Sequence, residues 1–344
     1  MQLSDMLIRN GWEGRVSMVY FDDRQIARLR DYLHDKKTAC SAIDFTLREN
    51  TIAEYRQYRM QPADRIPVSA DSLVVLPEGL SEWLPFFQDN PVLVWWLSVD
   101  NGLNGLSRVN LNYLRRPNVF HATQSAYAAR FIESLGLRNI GDLSDYTAEL
   151  FKAPISADSR PKQVALNKSS KVIANLDRLT HLIGTARPDI QVVRIGGMSR
   201  EKVIETFQQS RIFVDLGTFP GKDRLAREAA LIGCAVIVAD AGAGHTTQDF
   251  PLAEEDHIDP WDLERVAVRV IQLIDSPELA DENSRSLRVH VQAEKARFAE
   301  EVLSVFTQLE ILAKQIQVPD QSPGNRPLLR VKPKKRWRLF SRKK

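Results

Sequence analysis

The residues that most clearly suit chemistry on an anionic ligand lie between positions 215 and 239. An apolar run, residues 212–216, leads into a loop rich in glycine and proline at 217–221, and a helical pattern of apolar residues follows. Glycines let the backbone approach a ligand closely, and the unpaired N–H groups of a helix's first turn favour an anion. Three cations accompany this turn: Lys222, Arg224 and Arg227. The pattern therefore suits a diphosphate.

The same residues have a purely structural interpretation, which the spacing leaves open. Asp223 with Arg227, and Arg224 with Glu228, are i,i+4 pairs that can form surface salt bridges. The loop also departs from a P-loop, because Asp223 occupies the position where Ser or Thr would hold magnesium. A G-x-G-x-x-G motif is absent from the sequence.

The elements that would position this loop follow an alternating pattern. Short apolar runs predict buried strands at residues 72–76, 92–97, 118–122, 163–166, 191–195, 212–216 and 234–239. Helical patterns lie at residues 125–135, 173–185, 199–209, 222–232, 260–275 and 284–315, with Ser125 and Ser199 as N-caps and Gly233 as a stop. We therefore predict an α/β chain of two Rossmann-like domains facing a cleft, with a C-terminal helical region and a basic tail.

Composition narrows the classes of protein further. A length of 344 residues exceeds what one hydrophobic core usually supports. The two cysteines, Cys40 and Cys234, exclude a disulfide scaffold and a four-cysteine zinc site, and we expect no metal site. The longest apolar runs fall short of the ~20 residues that span a bilayer, and the N-terminus lacks a signal-peptide pattern. We therefore expect a cytoplasmic protein.

The net charge of +3 conceals two oppositely charged parts. Residues 326–344 contain ten of the 47 Lys and Arg residues and no acidic residue, so the remaining chain has 37 basic and 44 acidic residues, a net charge of −7. Apolar residues are interleaved with the cations, as in the sequence KPKKRWRLF. Cations near an anionic leaflet are worth roughly 1 kcal/mol each, and Trp and Phe favour the membrane interface. Nucleic-acid attraction and a solvated tail are the alternatives.

Three stretches resemble the GT-B glycosyltransferases. Residues 227–230 (REAA) with Gly233, the strand VIVAD and Gly242 resemble the donor-site segment of that family. Residues 119–136 resemble its strand–Ser–helix segment, and residues 163–171 (QVALNKSSK) resemble the first donor-domain strand with its basic loop. The longer segment DLGTFPGKDRLAREAA is similar to a bacterial subgroup linked to capsule, O-antigen and other surface polysaccharides.

The resemblance implies roles for particular residues. Glu228 matches the glutamate that accepts hydrogen bonds from the nucleotide ribose, and Lys168 or Lys171 matches the basic position that meets the diphosphate. Gly197 and Met198 match the loop at the base. The remaining donor-binding residues are Gly221, Lys222, Arg224 and Arg227. One departure is clear, because the family's acid eight residues before Glu228 is replaced by Pro220.

The implied reaction releases a nucleoside diphosphate, and preorganised cations would stabilise the charge on this leaving group. The resemblance implies no metal and no cofactor beyond the nucleotide-diphosphate sugar as co-substrate. An inverting reaction would also need a base for the acceptor hydroxyl. The candidates are Asp100, His121 and Glu78, each at the end of a predicted strand; each also has a structural interpretation, as a turn cap or a satisfied buried side chain.

The resulting hypothesis is a glycosyltransferase with a nucleotide-sugar donor and a glycan or lipid-linked acceptor. We predict an acceptor-side domain at residues 1–155, a donor domain at 156–283, a helical region at 284–317 and a disordered basic tail at 318–344. The tail would bind an anionic membrane surface rather than a specific nucleic acid, placing the protein on the inner face of the cell membrane. Its membrane-binding residues would be Lys334, Lys335, Arg336, Trp337, Arg338 and Phe340. A non-catalytic binding subunit and an epimerase or phosphorylase are the alternatives.

Overall fold

The computed structural model describes residues 1–16, 19–20, 42–47, 58–59, 61–62, 72–106, 111–147, 154–315 and 328–331. The chain folds as two units. Unit 1 comprises Met1–Val94, Gly102–His121 and Val302–Lys344, and unit 2 comprises Trp95–Asn101 and Ala122–Glu301. These two units differ from the predicted domains, whose boundaries lie at residues 155, 283 and 317. The predicted roles of those domains stay predictions.

The strands and helices alternate along most of the described chain. The strands are β1 Arg15–Val16, β2 Val19–Tyr20, β3 Ala42–Leu47, β4 Gln61–Pro62, β5 Val74–Pro77, β6 Val92–Trp96, β7 Val119–Thr123, β8 Asn139–Asp142, β9 Gln163–Asn167, β10 Gln191–Ile195, β11 Ile212–Asp215, β12 Ala235–Ala239, β13 His257–Ile258 and β14 Leu328–Val331. The helices are α1 Gln2–Arg9, α2 Val99–Leu106, α3 Leu111–Leu114, α4 Ala126–Ser134, α5 Leu176–Ala186, α6 Arg200–Gln209, α7 Arg224–Ile232, α8 Leu263–Asp275, α9 Pro277–Gln292 and α10 Glu294–Gln315.

Unit 2 is built on a five-stranded sheet in the order β10-β9-β11-β12-β13. Every neighbouring pair is parallel, so the predicted parallel α/β sheet is confirmed. Successive residues of a strand point to opposite faces, which explains why Val164 and Leu166 join one apolar cluster whereas Ala165 joins another. Helices α5 and α8 supply residues to the first cluster, and α6 and α7 supply residues to the second. Both faces are covered, and the strands are therefore apolar throughout.

The predicted helix ends are largely confirmed in unit 2. The Ser125 hydroxyl accepts a hydrogen bond from the Ala128 N–H at 3.1 Å, and the Ser199 hydroxyl accepts one from Lys202 at 3.3 Å. Gly233 ends α7 in the left-handed conformation, with φ of 96°. Some boundaries differ from the prediction. Helices α5 and α8 begin three residues later than predicted, at Leu176 and Leu263. Helix α7 begins at Arg224, with Asp223 as its N-cap residue, and the predicted helical region 284–315 is divided at Ala293 into α9 and α10.

The remaining strands form smaller sheets. Strands β5 to β8 form a four-stranded sheet in chain order. In unit 1, β14 pairs in parallel with β3, and β3 pairs antiparallel with β2. Leu328–Val331 of the predicted tail are therefore extended and paired, whereas the rest of the tail lies outside the described residues. No helix in the described part of the chain is long and apolar enough to cross a membrane.

Candidate functional site

The loop between β11 and α7 is held in place by backbone hydrogen bonds. The Val99 N–H donates to the Pro220 carbonyl at 2.7 Å, and the Lys222 N–H donates to the Gln124 side-chain oxygen at 3.1 Å. Phe219 has a positive φ of 46°, a conformation that costs energy in a bulky residue and persists only where its surroundings enforce it. The loop is therefore a fixed structure.

Gly221 allows this loop to pass against the end of β6. A Cβ atom at this position would lie 2.1 Å from the Leu97 carbonyl oxygen and 2.9 Å from the Gln124 Oε1. The first distance is far shorter than any real contact, and a carbonyl in the backbone yields little. Only glycine therefore fits here, for a steric reason rather than for its φ.

A cavity of about 440 Å³ lies beside the loop, within the usual range for a small-molecule site. All of its lining residues belong to unit 2. They are Leu97, Ser98, Gln124, Asp145, Asn167, Ser169, Lys171, Asp215 and residues 220–225. Because β9 and β11 end at Asn167 and Asp215, the cavity lies at the carboxyl edge of the parallel sheet, where ligands of open α/β folds bind.

Three of the predicted donor-binding cations line this cavity: Lys171, Lys222 and Arg224. The Lys171 ammonium pairs with the Asp223 carboxylate at 2.7 Å. The Arg224 side chain is 64% exposed, and its Nε lies 3.9 Å from an Asp145 oxygen. Lys171 and Arg224 each lie beside an acidic side chain, but both line the cavity and are therefore within reach of a ligand.

Lys222 is the most unusual of the three cations. The residue is only 6% exposed. Within the described part of the chain, its ammonium makes no hydrogen bond or ion pair. Burial, and then the positive charge of Arg227, lower the pKa of Lys222 below its ordinary value, while more distant carboxylates such as Glu294 oppose this effect. A buried cation without a close partner is costly, and an anionic ligand would offset that cost.

The start of α7 adds to this anion-binding character. Asp223 is the N-cap residue, yet its side chain makes no capping hydrogen bond to the helix and pairs with Lys171 instead. The first-turn N–H groups of α7 therefore face the loop without a side-chain cap, and the positive end of the helix dipole lies beside Lys222.

Arg227, the third cation predicted in residues 215–239, is not among the residues that line the cavity. Its side chain is 1% exposed. The guanidinium donates to both Glu294 oxygens at 3.0 and 2.9 Å, lies 3.1 Å from Asp145, and donates to the Lys222 carbonyl at 2.8 Å. We therefore assign Arg227 to a buried ion cluster beneath the loop, because its charge is already compensated by two carboxylates.

The purely structural interpretation predicted i,i+4 salt bridges in this segment. The side chains concerned instead pair with residues far away along the sequence. Asp223 pairs with Lys171, and Arg227 pairs with Glu294 and Asp145. Glu228 is 3% exposed, and its carboxylate accepts a hydrogen bond from Arg200 at 2.9 Å. Glu228 is not among the residues that line the cavity.

The other predicted donor-binding residues lie on loops that follow neighbouring strands. Lys168 is exposed after β9, and its N–H donates to the Ile195 carbonyl at 2.7 Å. Gly197, after β10, has a left-handed φ of 66°, and Met198 contacts Thr206 through its sulfur at 4.0 Å. These residues share the carboxyl edge of the sheet with the cavity without lining it.

None of the three candidate bases is among the residues that line the cavity. His121 is fully buried in unit 1, its Nε2 lies 3.0 Å from the Leu114 carbonyl, and burial lowers its pKa to about 4. A side chain with no exposed surface does not meet an acceptor hydroxyl, and the structure favours the buried-histidine interpretation. Glu78 is 2% exposed in a short 3-10 helix. Asp100 is exposed in the first turn of α2. Burial, and secondly the negative charge of Asp100, raise the pKa of Tyr127.

Several polar residues that line the cavity were not among the predicted site residues. Gln124 and Asp145 are joined by a 2.8 Å hydrogen bond. Gln124 lies in the strand–Ser–helix segment, which assigned it no role, and Asp145 comes from a segment without a motif. Asn167 and Asp215 each follow an apolar run, and a polar residue at the carboxyl end of a strand is a signal that could have identified them. The predicted membrane-binding residues, Lys334 to Phe340, lie outside the described residues. The described residues contain no cluster of three or more His, Cys, Asp or Glu that could hold a metal ion.

Comparison with solved structures identifies the fold. The chain is similar to sucrose-phosphate synthase from Thermosynechococcus elongatus, with a TM-score of 0.56 and 13% identity over 90% of this chain and 92% of that one. The chain adopts the GT-B glycosyltransferase fold.

Two further GT-B structures support the same conclusion. S. aureus TarM, in a complex that contains UDP, matches with a TM-score of 0.55 and 14% identity over 71% of this chain and 56% of TarM. Thermobaculum terrenum O-GlcNAc transferase matches with a TM-score of 0.50 and 12% identity over 84% of this chain and 65% of that one. This GT-B chain thus spans little more than half the length of TarM. No protein-family model and no curated protein sequence matches the chain.

Proposed function

We propose that this GT-B chain is a glycosyltransferase that transfers a sugar from a nucleotide-diphosphate sugar to a cell-surface glycan acceptor, of the capsule, O-antigen or related lipid-linked kind. The observation that carries the proposal is the ammonium of Lys222, a residue that is 6% exposed and lines the unit 2 cavity beside the N-terminus of α7, and that makes no hydrogen bond or ion pair among the described residues. A diphosphate supplies the charge and the acceptor oxygens that this position lacks.

The diphosphate would bind along the loop between β11 and α7. Lys222 would donate to it from the cavity wall, and Lys171 and Arg224 would approach it from the rim. When the bond between the anomeric carbon and the diphosphate oxygen breaks, the electron pair moves to the diphosphate. The three cations and the helix N–H groups are already oriented, and they stabilise this charge without reorganising. The acceptor hydroxyl forms the new glycosidic bond and loses its proton to a base.

The nucleoside would extend from the diphosphate toward the loops that follow β9 and β10. Glu228 would accept hydrogen bonds from the ribose hydroxyls, as the resemblance implies, once Arg200 shares or releases its carboxylate. Gly197 and Met198 would lie against the base. Titratable groups in contact with the cavity, rather than His121, would be the first to test as the base.

A product assay tests the proposed activity. The purified chain is incubated with membranes containing lipid-linked glycans and with a panel of UDP-, GDP- and dTDP-sugars. A glycosyltransferase releases nucleoside diphosphate only when donor and acceptor are both present, and the sugar enters the lipid fraction. Rearranged nucleotide sugar without release would identify an epimerase. Tight donor binding with no turnover across the panel would identify a binding subunit.

The basic tail would hold the enzyme at the inner face of the cell membrane, next to such an acceptor. Removing residues 332–344 deletes eight of the ten tail cations and leaves β14 intact. We expect the shortened chain to lose sedimentation with phosphatidylserine vesicles and to keep its activity on a water-soluble acceptor. Unchanged sedimentation, or loss of the activity on the soluble acceptor, would contradict this role.

A further inference from the structure

The proposed function gives two polar side chains of the cavity, Asn167 and Asp215, no role in binding the diphosphate. Asn167 ends β9 and Asp215 ends β11, and these strands are neighbours in the sheet. Their register pairs Leu166 with Val214, which brings the two following residues, Asn167 and Asp215, side by side. Both residues line the cavity.

Each of these side chains is buried with one oxygen unused. Asp215 is 1% exposed and Asn167 is 5% exposed. The Asp215 Oδ1 accepts a hydrogen bond from the Gly217 N–H at 3.1 Å, and the Asn167 Nδ2 lies 3.4 Å from the Ser169 hydroxyl. The Asp215 Oδ2 and the Asn167 Oδ1 have no hydrogen-bond partner among the described residues.

The energetic cost of this arrangement indicates a missing partner. A buried polar group without a hydrogen bond destabilises a protein, and native structures give most buried polar groups a partner. Burial raises the pKa of Asp215 to about 7, although the Asn167 amide opposes this rise. The carboxyl group is therefore one whose charged form would be stabilised by a hydrogen-bond donor from a ligand.

The chemistry of the two oxygens restricts that ligand. When the Asp215 carboxyl group is ionised, both oxygens are acceptors, and they then repel phosphate oxygens and require O–H or N–H donors. The cations that suit a diphosphate, Lys171 and Lys222, line the same cavity. A sugar joined to that diphosphate has several hydroxyl donors. Because the sugar is bonded directly to a diphosphate oxygen, its ring would lie next to the phosphate. Glu228, assigned to the ribose, is outside the cavity lining, which leaves the hydroxyls of the transferred sugar for this pair.

We propose that Asp215 and Asn167 bind hydroxyl groups of the transferred sugar and thereby select which nucleotide sugar the enzyme uses. This inference rests on the proposed function, since it requires the diphosphate to bind in the same cavity. It assigns sugar recognition to the carboxyl ends of two adjacent strands, whose backbone is fixed by the sheet and positions the two side chains accurately.

Calorimetry on the full chain tests the proposal by comparing a nucleotide with its sugar derivative. The panel of UDP-, GDP- and dTDP-sugars identifies the nucleotide sugar that the wild type binds most tightly, and the matching nucleoside diphosphate is the reference. We expect Asp215→Asn to keep the affinity for the nucleoside diphosphate within about twofold and to weaken the nucleotide sugar about tenfold, the loss typical of a charged hydrogen bond. Asn167→Ala, a second variant in case the first fails to fold, should act in the same direction.

The control is Asp177→Asn, which removes a carboxylate that is 88% exposed on α5 and should change neither affinity. The proposal is wrong if neither cavity variant reduces the ratio of the affinity for the nucleotide sugar to that for the nucleoside diphosphate. It is also wrong if the affinities for both ligands fall equally. The same holds if no nucleotide sugar in the panel binds the wild type more tightly than its nucleotide. If the wild type binds no nucleotide at all, the proposed function itself is wrong.

Discussion

Two largely buried cations five residues apart differ in how closely their charge is compensated: Glu294 and Asp145 pair directly with Arg227, whereas the same carboxylates act on Lys222 only from a greater distance. Arg227 is fully enclosed by Glu294, Asp145 and the Lys222 carbonyl, and its hydrogen bonds are made within the protein. Lys222 is nearly as buried, and its ammonium has no close partner among the described residues. The pKa values move in opposite directions: burial lowers that of Lys222, whereas Asp145 and Glu294 overcome the effect of burial and raise that of Arg227. The contrast shows that a buried cation indicates a ligand only where the protein leaves it uncompensated.

Breaking the compensated cluster should give the largest effect on stability. Arg227→Met leaves Glu294, which is fully buried, without its cationic partner, and loss of one member of a buried ion pair costs about 3–5 kcal/mol. Urea unfolding followed by circular dichroism measures this loss. Lys222→Met is the matched variant, and we expect its stability to be unchanged or higher, because burial already disfavours that charge. Equal destabilisation of both variants would contradict the distinction.

Displacing the loop should affect stability and binding together. Gly221→Ala places a methyl group against the Leu97 carbonyl, and the strain should cost about 1–3 kcal/mol and move the backbone at Lys222. Nucleoside diphosphate affinity should fall with it. Gly184→Ala is the control, because the added methyl group meets nothing within 4 Å on α5 and should stabilise the helix by about 0.5–1 kcal/mol. A Gly221→Ala variant with wild-type stability would show that the loop yields more readily than its contacts indicate.

The exposed cation of the cavity should give the smallest effect. Arg224 is 64% exposed, so solvent and salt screen its attraction for a diphosphate. We expect Arg224→Gln to weaken nucleoside diphosphate binding by about two- to fivefold at low salt and by less at 0.5 M salt. Arg178→Gln, a change at an arginine that is 60% exposed on α5, provides the comparison. A loss as large as that of a buried charge would mean that Arg224 becomes enclosed when the ligand binds.

The contrast between the two cations also marks how far the sequence could predict this molecule. The apolar runs of unit 2 and the caps Ser125, Ser199 and Gly233 are local signals, and the parallel sheet and helix ends predicted from them are confirmed. The loop before α7 could be predicted in the same way, because its glycines and cations are also a local signal. Lys171, Lys222 and Arg224 do line one cavity.

The partners of those residues could not be predicted, because they lie far away along the chain. Glu294, which compensates Arg227, is 67 residues away, and Arg200, which pairs with Glu228, is 28 residues away. Spacing alone suggested i,i+4 salt bridges for the same side chains. A pattern of residue types cannot distinguish a compensated cation from a free one, since that depends on tertiary contacts.

The most direct test of the account is calorimetric titration of nucleoside diphosphates into the wild type, Lys222→Met and Lys162→Met. The two variants remove the same charge, but Lys162 is exposed and pairs with Asp189 at 2.8 Å away from the cavity lining. The account predicts that Lys222→Met weakens the nucleoside diphosphate by about tenfold to a hundredfold, as expected for a charged hydrogen bond. It predicts wild-type affinity for Lys162→Met. Equal affinities in all three proteins would show that the unpaired ammonium of Lys222 is not the site of the diphosphate.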